Sequence, residues 1–446
     1  MRRRLIGLLA LALLAAACTA GGGGSSDQPA ATIDPNANHA PVTLTVWSDF
    51  SARELGVVTA GLKKATAKYP WMTVKHVGSK NDQDIQRAIN GGTPPDVALS
   101  FTPDNAARYC DTGAWQDLNP YLASSKVDKT KVWPEGVFSY TSFEGKQCAL
   151  PMLTDAYGLY YNTDLLAKHG ISAPPKTTAE LADMAKKLTE YNPDGSIKVA
   201  GFVPLFGFYG SLTVDTLSHA YGAKWYDDSL KPTLSSDPNW AKMLTWQKAM
   251  VDAIGYDKLQ KFAAKLGGAN SEFSAQNGFE TGKIAMMMDG EWRNAFIEGD
   301  KSKIKYATAP FPVDPDQAGL YGSGQIGGTI GGVPKGVKHP AESWLLLQFM
   351  TTDNDYLTTI AHGLKNVPST FESLKDQQLQ SDPHFKTFLD VFANQTSTFK
   401  PITPIGQTDT DLLGTFAQKW QAGKVPDLEA GLKGVEDQIT KQLQLG

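Results

Sequence analysis

The feature that most constrains the fold is an alternation of strand-type and helix-type segments near the start of the chain. Residues 42–47 alternate apolar side chains with Thr, which is typical of a strand, and residues 52–69 have the apolar spacing of a helix. A second strand is expected at 71–77, a second helix at 84–90 and a third strand at 96–101. This order predicts an α/β fold with a parallel, doubly wound sheet.

Sheets of this kind bind ligands beyond the carboxyl ends of their strands. We therefore expect residues 47–49 and 101–105, which follow the first and third strands, to meet at one crevice. The later part of the chain repeats the pattern. It predicts strands at 158–162 and 284–288, a helix that Thr177 and Glu180 begin with capping-box spacing, and helices at 240–251, 273–281, 341–350 and 428–443.

Length and charge narrow the class of protein. The 446 residues allow two or three domains, and 41% hydrophobic with 20% charged residues is ordinary for a water-soluble globular protein. Lys and Arg number 42 against 46 Asp and Glu, which gives a net charge of −4. Such a chain has no excess of positive charge for nucleic acid, so no nucleic-acid partner is expected.

The first residues predict export. Three arginines precede an uncharged apolar run at 5–17, which is too short to span a bilayer and is typical of a signal peptide over residues 1–17. The small residues before Cys18 resemble a bacterial lipobox, although Ala15 stands where Leu is usual. We therefore expect a lipidated Cys18 and a flexible tether over 18–41, which would anchor the protein to the outer face of the cell membrane. Ordinary secretion is the alternative.

Cysteine and histidine usage bears on disulfides and metals. With Cys18 lipidated, Cys110 and Cys148 remain as an even pair in an oxidising compartment, so a disulfide is expected, with two buried free thiols as the alternative. The seven histidines are scattered and show no ligand spacing. We expect no metal site and no cofactor.

Three blocks carry a family resemblance. They are PDVALSFTPDNAARYCDTGAWQDL (95–118), ALPMLTDAYGLYYNTDLLAKHGISAPPKTTAEL (149–181) and FETGKIAMMMDGEWRNAF (279–296). Together they resemble the extracellular solute-binding proteins of carbohydrate ABC importers, of the maltose-binding type. The resemblance implies a two-lobed type II periplasmic-binding-protein fold with hinge strands. Lobe 1 would comprise 42–151 plus 312–352, and lobe 2 would comprise 154–308 plus 356–446.

A sugar offers C–H faces, which stack on aromatic rings, and hydroxyl groups, which planar polar side chains can bind in pairs. The strand ends, the aromatic segments and the resemblance together select the candidate ligand-binding residues. These are Trp47, Asp49, Phe101, Asp104, Tyr157, Phe208, Tyr209, Glu291, Trp292, Arg293, Gln407 and Asp409, with Gly327 and Gly328 allowing close approach of the backbone.

Some of these candidates have ordinary structural interpretations. Trp47 could pack in a core, Asp104 could cap the following helix, and Glu291 could interact with a helix dipole. The glycines could simply occupy flexible turns.

The expected function is capture of a sugar or short oligosaccharide between the lobes by a monomer, hinge closure, and delivery to the membrane subunits of an ABC permease. The first alternative keeps the fold and changes the ligand to a glycerophosphodiester. Of the arginines that remain once the signal peptide is removed, only Arg293 is expected at the cleft. This argues against a phosphate ligand. An amino-acid or peptide ligand is also open. A secreted glycoside hydrolase is a further alternative, but no G-x-S-x-G, H-E-x-x-H or P-loop motif is present.

Overall fold

A computed structural model describes residues 32–445. The strands in this range are β1 (Val42–Trp47), β2 (Met72–Val77), β3 (Val97–Ser100), β4 (Ser142–Phe143), β5 (Lys146–Gln147), β6 (Leu150–Asn162), β7 (Glu190–Tyr191), β8 (Ile197–Val199), β9 (Met286–Gly290), β10 (Tyr306–Pro310), β11 (Ile326–Gly332) and β12 (Val367–Pro368). The expected signal peptide, the lipidated Cys18 and most of the tether lie outside the described residues.

The helices alternate with these strands and run on to the end of the chain. They are α1 (Ala52–Lys68), α2 (Asp82–Asn90), α3 (Asn105–Asp111), α4 (Asn119–Ser124), α5 (Lys129–Val132), α6 (Glu135–Phe138), α7 (Thr163–Lys168), α8 (Thr178–Leu188), α9 (Val214–Ala220), α10 (Pro238–Ile254), α11 (Tyr256–Lys265), α12 (Arg293–Gly299), α13 (Pro340–Thr352), α14 (Asn354–Leu364), α15 (Gln377–Ser381), α16 (Lys386–Ala393), α17 (Thr408–Gln421) and α18 (Leu428–Leu443).

The main sheet has the order β10-β6-β11-β3-β1-β2, and β9 and β12 also pair with β6. The pairs β1–β2 and β1–β3 are parallel, as predicted. β11 runs antiparallel to both β3 and β6, so the sheet is mixed. The local pattern of residues 42–101 predicts a purely parallel sheet. The prediction is wrong because β11 comes from a distant part of the chain, which that pattern does not contain.

The described residues form three apolar clusters, and two of them use different halves of β6: one contains Leu150 and Met152, the other Leu159. The first lobe is built around Val46, Leu62 and Trp344, and the second around Leu166, Trp240 and Leu413. β6 joins them, because its first half pairs with β11 and its second half with β9 and β10. The molecule is therefore a two-lobed α/β protein, as expected.

The helix α14 belongs to the core of the first lobe. Its buried residues Tyr356, Leu357 and Ile360 pack with those of α1 and α13. The family resemblance implies that residues 356–446 belong to the second lobe. The packing differs from that expectation because α14 follows α13 directly and its apolar stripe covers Gly61 of α1, where an added Cβ would lie 2.8 Å from Ile360.

Some of the predicted helix and strand boundaries are confirmed and others are wrong. Thr177 and Glu180 form the predicted capping box of α8. The helix expected at 273–281 is instead a series of turns, and the following strand begins at Met286 rather than 284. Asn277 closes these turns by donating to the Glu272 carbonyl at 2.9 Å, which is an alternative to helical hydrogen bonding.

Cys110 and Cys148 form the expected disulfide, with their Cα atoms 5.4 Å apart. Both residues are buried and belong to the same apolar cluster as Trp115 and Ala98 of β3. In the part of the chain that the structure describes, no helix has the length and apolar character needed to cross a membrane.

Candidate functional site

A cavity of about 540 Å³ lies between the two lobes. The first lobe contributes α2, the start of α3 and residues such as Thr102 and Arg108, and the second contributes Ile405, Gln407 and Asp411. The lining is mostly polar. Because residues from both lobes face the same space, a molecule held here would contact both at once.

A second cavity, of about 460 Å³, adjoins the first on the second lobe. The two cavities share Gln407 and Asp411. The second cavity is lined by residues 206–210 and by Glu272, together with the first turns of α17. The cleft is therefore longer than a single cavity and is wide enough for more than one sugar ring.

The lobes are closed against each other in this structure. The loop at Gly406 approaches Asn105 so closely that an added Cβ would lie 2.3 Å from Asn105 Oδ1. Gly406 also has a φ of +59°, a conformation that favours glycine. The contact lies beside the cavity and joins α3 of the first lobe to the segment before α17 of the second.

Three predicted residues lie along the edge of the first lobe. Trp47 is half-buried at the end of β1 and has the Lys80 ammonium 5.0 Å from its ring centre. Asp49 is exposed, and burial of part of its carboxyl, with the charges of Asp82 and Asp84, raises its pKa. Phe101 is 41% exposed and packs edge-on against Phe50, which leaves most of one ring face free.

Tyr157 and Trp292 come together on the second lobe. Their rings meet edge to face with centres 5.6 Å apart, and both side chains are half-buried. Trp292 lies over Gly290, where an added Cβ would be 2.3 Å from the indole ring. The indole N–H finds no acceptor in residues 32–445. A ring fixed by its neighbours, with an unused donor, is suited to stack on a sugar and bind a hydroxyl.

Asp104 and Asp409 are both buried, and one lysine joins them. Lys400 Nζ lies 2.8 Å from Asp104 Oδ1 and 2.5 Å from Asp409 Oδ1. Tyr226 donates its hydroxyl to Asp409 Oδ2 at 2.6 Å. Burial alone would lower the pKa of Lys400, but Asp104 and Asp409 raise it overall, so the lysine is charged. This ion-pair network joins α3 to α17 across the lobes.

Asp215 extends the network toward the end of β11. The Gln325 amide donates to Asp215. Burial raises the pKa of Asp215 to about 7, Lys400 acts in the opposite direction, and Asp104 adds to the increase. Asp215 is also close enough to Tyr157 to contribute to the raised pKa of that phenol. The network therefore lies near the aromatic pair.

The predicted residues Phe208 and Tyr209 are stacked on each other, with ring centres 3.9 Å apart, and both are largely buried. Both line the second cavity. The Tyr209 hydroxyl accepts from the Gly278 backbone at 2.9 Å. They form a wall of the cleft rather than an exposed platform. Gln407 is exposed at the junction of the two cavities, where the sequence analysis expected a lining residue.

Arg293 does not reach the cleft, contrary to expectation. Its side chain is fully buried, and its guanidinium pairs with Asp289 at 2.6 Å and Glu280 at 3.2 Å. Phe273 and Phe296 lie against it. The arginine follows Trp292 directly, so the helical turn carries it into the second lobe while Trp292 stays half-buried beside Tyr157.

Glu291 is also fully buried. It accepts hydrogen bonds from the backbone of Ala156 and from the Asn366 side chain, so it does not project into the cleft. Gly327 and Gly328 pair with Asp155 and Thr154 of β6. A Cβ at Gly328 would lie 2.2 Å from the Leu153 carbonyl oxygen, so the close approach there is to β6 and not to a ligand.

Several residues of the site gave no sequence signal. Lys400 stands alone in an irregular segment, and Asp215 lies inside a short helix with no neighbouring charge pattern. Arg87 and Arg108 line the first cavity, although neither was expected there. Their positions depend on contacts between distant parts of the chain.

No group of three or more His, Cys, Asp or Glu side chains within residues 32–445 is arranged to hold a metal ion. The chemistry that the cleft offers is hydrogen bonding, ring stacking and ion pairing.

Comparison with known proteins places this architecture. Residues 71–355 match the sequence profile of the family described as bacterial extracellular solute-binding protein. A probable ABC transporter-binding protein of Deinococcus radiodurans is 30% identical over 313 residues, which cover 68% of this chain and 69% of that protein. The maltotriose-binding protein of Pyrococcus abyssi is 20% identical over 404 residues, which cover 90% of this chain and 82% of that protein.

Among solved structures, that of CpMnBP1 with mannotriose bound is similar, with a TM-score of 0.79 and 27% sequence identity. The superposition covers 89% of this chain and 99% of CpMnBP1. The sequence match, the two lobes and the cleft between them agree, and the chain belongs to the bacterial extracellular solute-binding proteins.

Proposed function

We propose that the protein is the substrate-binding component of an ABC import system and captures a sugar or short oligosaccharide in the inter-lobe cleft. The main support is the cavity of about 540 Å³, which polar residues of both lobes line. A ligand in this cavity gains contacts to both lobes only when they are closed, so binding favours the closed state. The closed form would then deliver the ligand to the membrane subunits of the permease.

The proposed ligand contacts follow from which side chains remain free. Trp292, Tyr157 and Phe101 offer ring faces, and Asp49 and Gln407 offer exposed polar groups. Asp104 and Asp409 would act from within the network around Lys400. The solute-binding relatives support this assignment, since one has maltotriose in its name and a similar structure holds mannotriose.

The proposed cellular location rests on the first residues of the sequence. We propose export through the signal peptide at 1–17 and anchoring of a monomer through a lipid on Cys18. The relatives are binding proteins, which supports a function without covalent chemistry. A glycoside hydrolase needs carboxyl groups that reach the ligand, and Glu291, one of the carboxylates predicted for the cleft, is buried and bound to backbone N–H groups.

A glycerophosphodiester is a second candidate ligand, and one observation favours it. Arg87 and Arg108 line the cavity, and the described residues offer the Arg108 guanidinium no hydrogen bond or ion pair. Arginine suits phosphate recognition. The carboxylates of Asp82 and Asp411 line the same cavity and oppose an anionic ligand, so we place the neutral saccharide first.

A thermal-shift screen distinguishes the two candidates. Mannobiose, mannotriose, maltose, maltotriose and glycerophosphocholine are added separately to the mature protein, because a ligand that binds only the folded state raises the melting temperature. We expect a shift with at least one oligosaccharide and none with glycerophosphocholine. A shift with glycerophosphocholine alone, lost in Arg108→Gln, would establish the second candidate instead.

A further inference from the structure

The strand β6 changes partners at Ala156 and Tyr157. Its residues up to Ala156 pair with β11, and those from Tyr157 onward pair with β9, joined by β10 from Gly158. A strand that passes between two lobes absorbs their relative motion where its partners change. The contacts made at this point are therefore the ones that opening and closing disturb.

Glu291 ties three separate segments together at this point. Its Oε2 accepts from the Ala156 backbone N–H at 2.9 Å, and its Oε1 accepts from Asn366 Nδ2 at 3.0 Å and the Val367 N–H at 3.4 Å. The side chain is fully buried. One carboxylate thus holds β6, the end of β9 and the start of β12.

Asp155 supplies a second carboxyl to the same cluster. Asn366 Nδ2 also donates to Asp155 Oδ1 at 3.0 Å, so one amide nitrogen bridges the two carboxyl groups. Two carboxyl groups can bond to each other only through a proton. Two carboxyl groups held this close in a buried site do not readily ionise together, so the pair retains one proton.

The surroundings offer the pair little positive charge. Burial raises the pKa of Asp155 to about 7, the bonds from Asn366 and Glu291 act against this rise, and Glu54 of α1 adds to it. Burial and the charge of Asp155 raise the pKa of Glu291. The titratable and charged groups near the pair are Glu54, Tyr140, Tyr157, Tyr160, Asp215, and the mutually paired Asp289 and Arg293.

We propose that Asp155 and Glu291 share one proton in the closed form, position the aromatic pair of Tyr157 and Trp292, and make ligand capture take up that proton. Tyr157 lies two residues from Asp155 on the same face of β6, and Trp292 directly follows Glu291. Both rings are therefore carried by residues adjacent to the shared proton. The inference rests on the proposed function, because it concerns how that cleft closes.

The direction of the pH effect follows from solvation. Opening separates the segments around the pair and admits water. Water brings the pKa values of the two carboxyl groups back toward their ordinary range, so the proton is released. Closure reverses this and takes a proton up. Ligand affinity therefore falls as pH rises toward and past the titration of the closed pair.

The test is titration calorimetry with mannotriose in two buffers of different ionisation enthalpy. We expect the wild type to take up a measurable fraction of one proton on binding at about pH 6 to 7, and its affinity to fall several-fold from about pH 6 to 8. Asp155→Asn leaves a single titratable carboxyl in the cluster, and its amide can donate to Glu291 and accept from Asn366. It should bind with no proton uptake and no such pH dependence.

Asp183→Asn is the matched control, because it removes an exposed carboxylate of α8 far from β6 and should keep the wild-type uptake. Absence of uptake by the wild type, or the same uptake by Asp155→Asn, would overturn the inference.

A measurement without ligand separates this inference from the proposed function. The raised pKa of Asp155 costs stability as pH rises toward 7, so the melting temperature of the wild type should fall relative to Asp155→Asn from about pH 5 to pH 8. If mannotriose fails to bind, this comparison still decides the inference. Parallel melting curves would contradict it.

Discussion

Lys400 Nζ lies 2.8 Å from Asp104 Oδ1, and this ion pair connects the helix that follows β3 in the first lobe to the network of the second lobe. Both side chains are buried, and the lysine also binds Asp409 at 2.5 Å. Buried charges of this kind are strongly interdependent, because removal of one leaves the others without compensation. The pair therefore contributes to stability and to closure together.

Lys400→Met should destabilise the protein by about 3 to 5 kcal/mol, because it leaves Asp104 and Asp409 buried without a cation. Urea unfolding measures the change. Lys386→Met is a suitable control, since its ion pair with Asp390 is exposed and its loss should cost no more than about 0.5 kcal/mol. Equal effects of the two substitutions would show that the Lys400 network stabilises the fold no more than an exposed ion pair does.

Trp292→Ala should weaken oligosaccharide binding at least about tenfold, because it removes both the ring face and the unused indole donor that we propose contact the ligand. Titration with the sugar that gives the largest thermal shift measures the loss. Trp71→Ala removes a half-buried indole that packs against His39 and Tyr69 of the first lobe, and it should leave the affinity within about twofold of the wild type. A Trp292→Ala protein with unchanged affinity would remove Trp292 from the site.

Replacing Cys110 and Cys148 together by Ser should lower stability by about 4 kcal/mol on the chain-entropy model, given their separation of 38 residues. Both residues precede β6, the strand that joins the lobes, so the bond stiffens one region and does not link the lobes. We therefore expect the melting temperature to fall while the ligand affinity of the folded protein stays nearly constant. A large loss of affinity at a temperature where the variant is fully folded would contradict this placement.

The free energy of unfolding should fall as pH decreases from about 6.5 to 4, and His219 should account for part of this loss. Burial lowers the pKa of His219 to about 4, so the unfolded chain binds the proton first, and the stabilisation present above pH 6.5 is lost as pH falls through the pKa of the folded state. His219→Gln should reduce the difference in urea midpoint between about pH 7 and pH 5. His339→Gln, which changes an exposed histidine, should not. His76, whose pKa burial also lowers to about 4, accounts for part of the remaining difference.

The local sequence was sufficient for the first three strands and the two helices between them. Apolar alternation at 42–47 and the capping signals at Thr177 act within a few residues, and the structure contains both elements where they were predicted. The placement of β11 between β3 and β6 was beyond such reasoning, because it depends on glycines whose neighbours come from elsewhere in the chain. A Cβ at Gly332, for example, would lie 2.0 Å from the ring of Trp115.

The same division holds for the site. Trp292 and Tyr157 were predicted from the family resemblance together with their positions beside strand ends, and the structure brings their rings into contact. Arg293 shows where the reasoning failed, since the residue next to Trp292 points in a different direction on the helical turn and binds Asp289. Lys400 had no local pattern, and its importance arises only because Asp104 and Asp409 meet around it.

Hydrogen exchange measured with and without mannotriose tests most directly whether both lobes grip one ligand. We predict added protection in two separated segments at once, 100–109 of the first lobe and 405–411 of the second, because both line the shared cavity. If mannotriose does not bind, the oligosaccharide with the largest thermal shift takes its place. Protection confined to one lobe, or no change with any saccharide that binds, would contradict capture between the lobes.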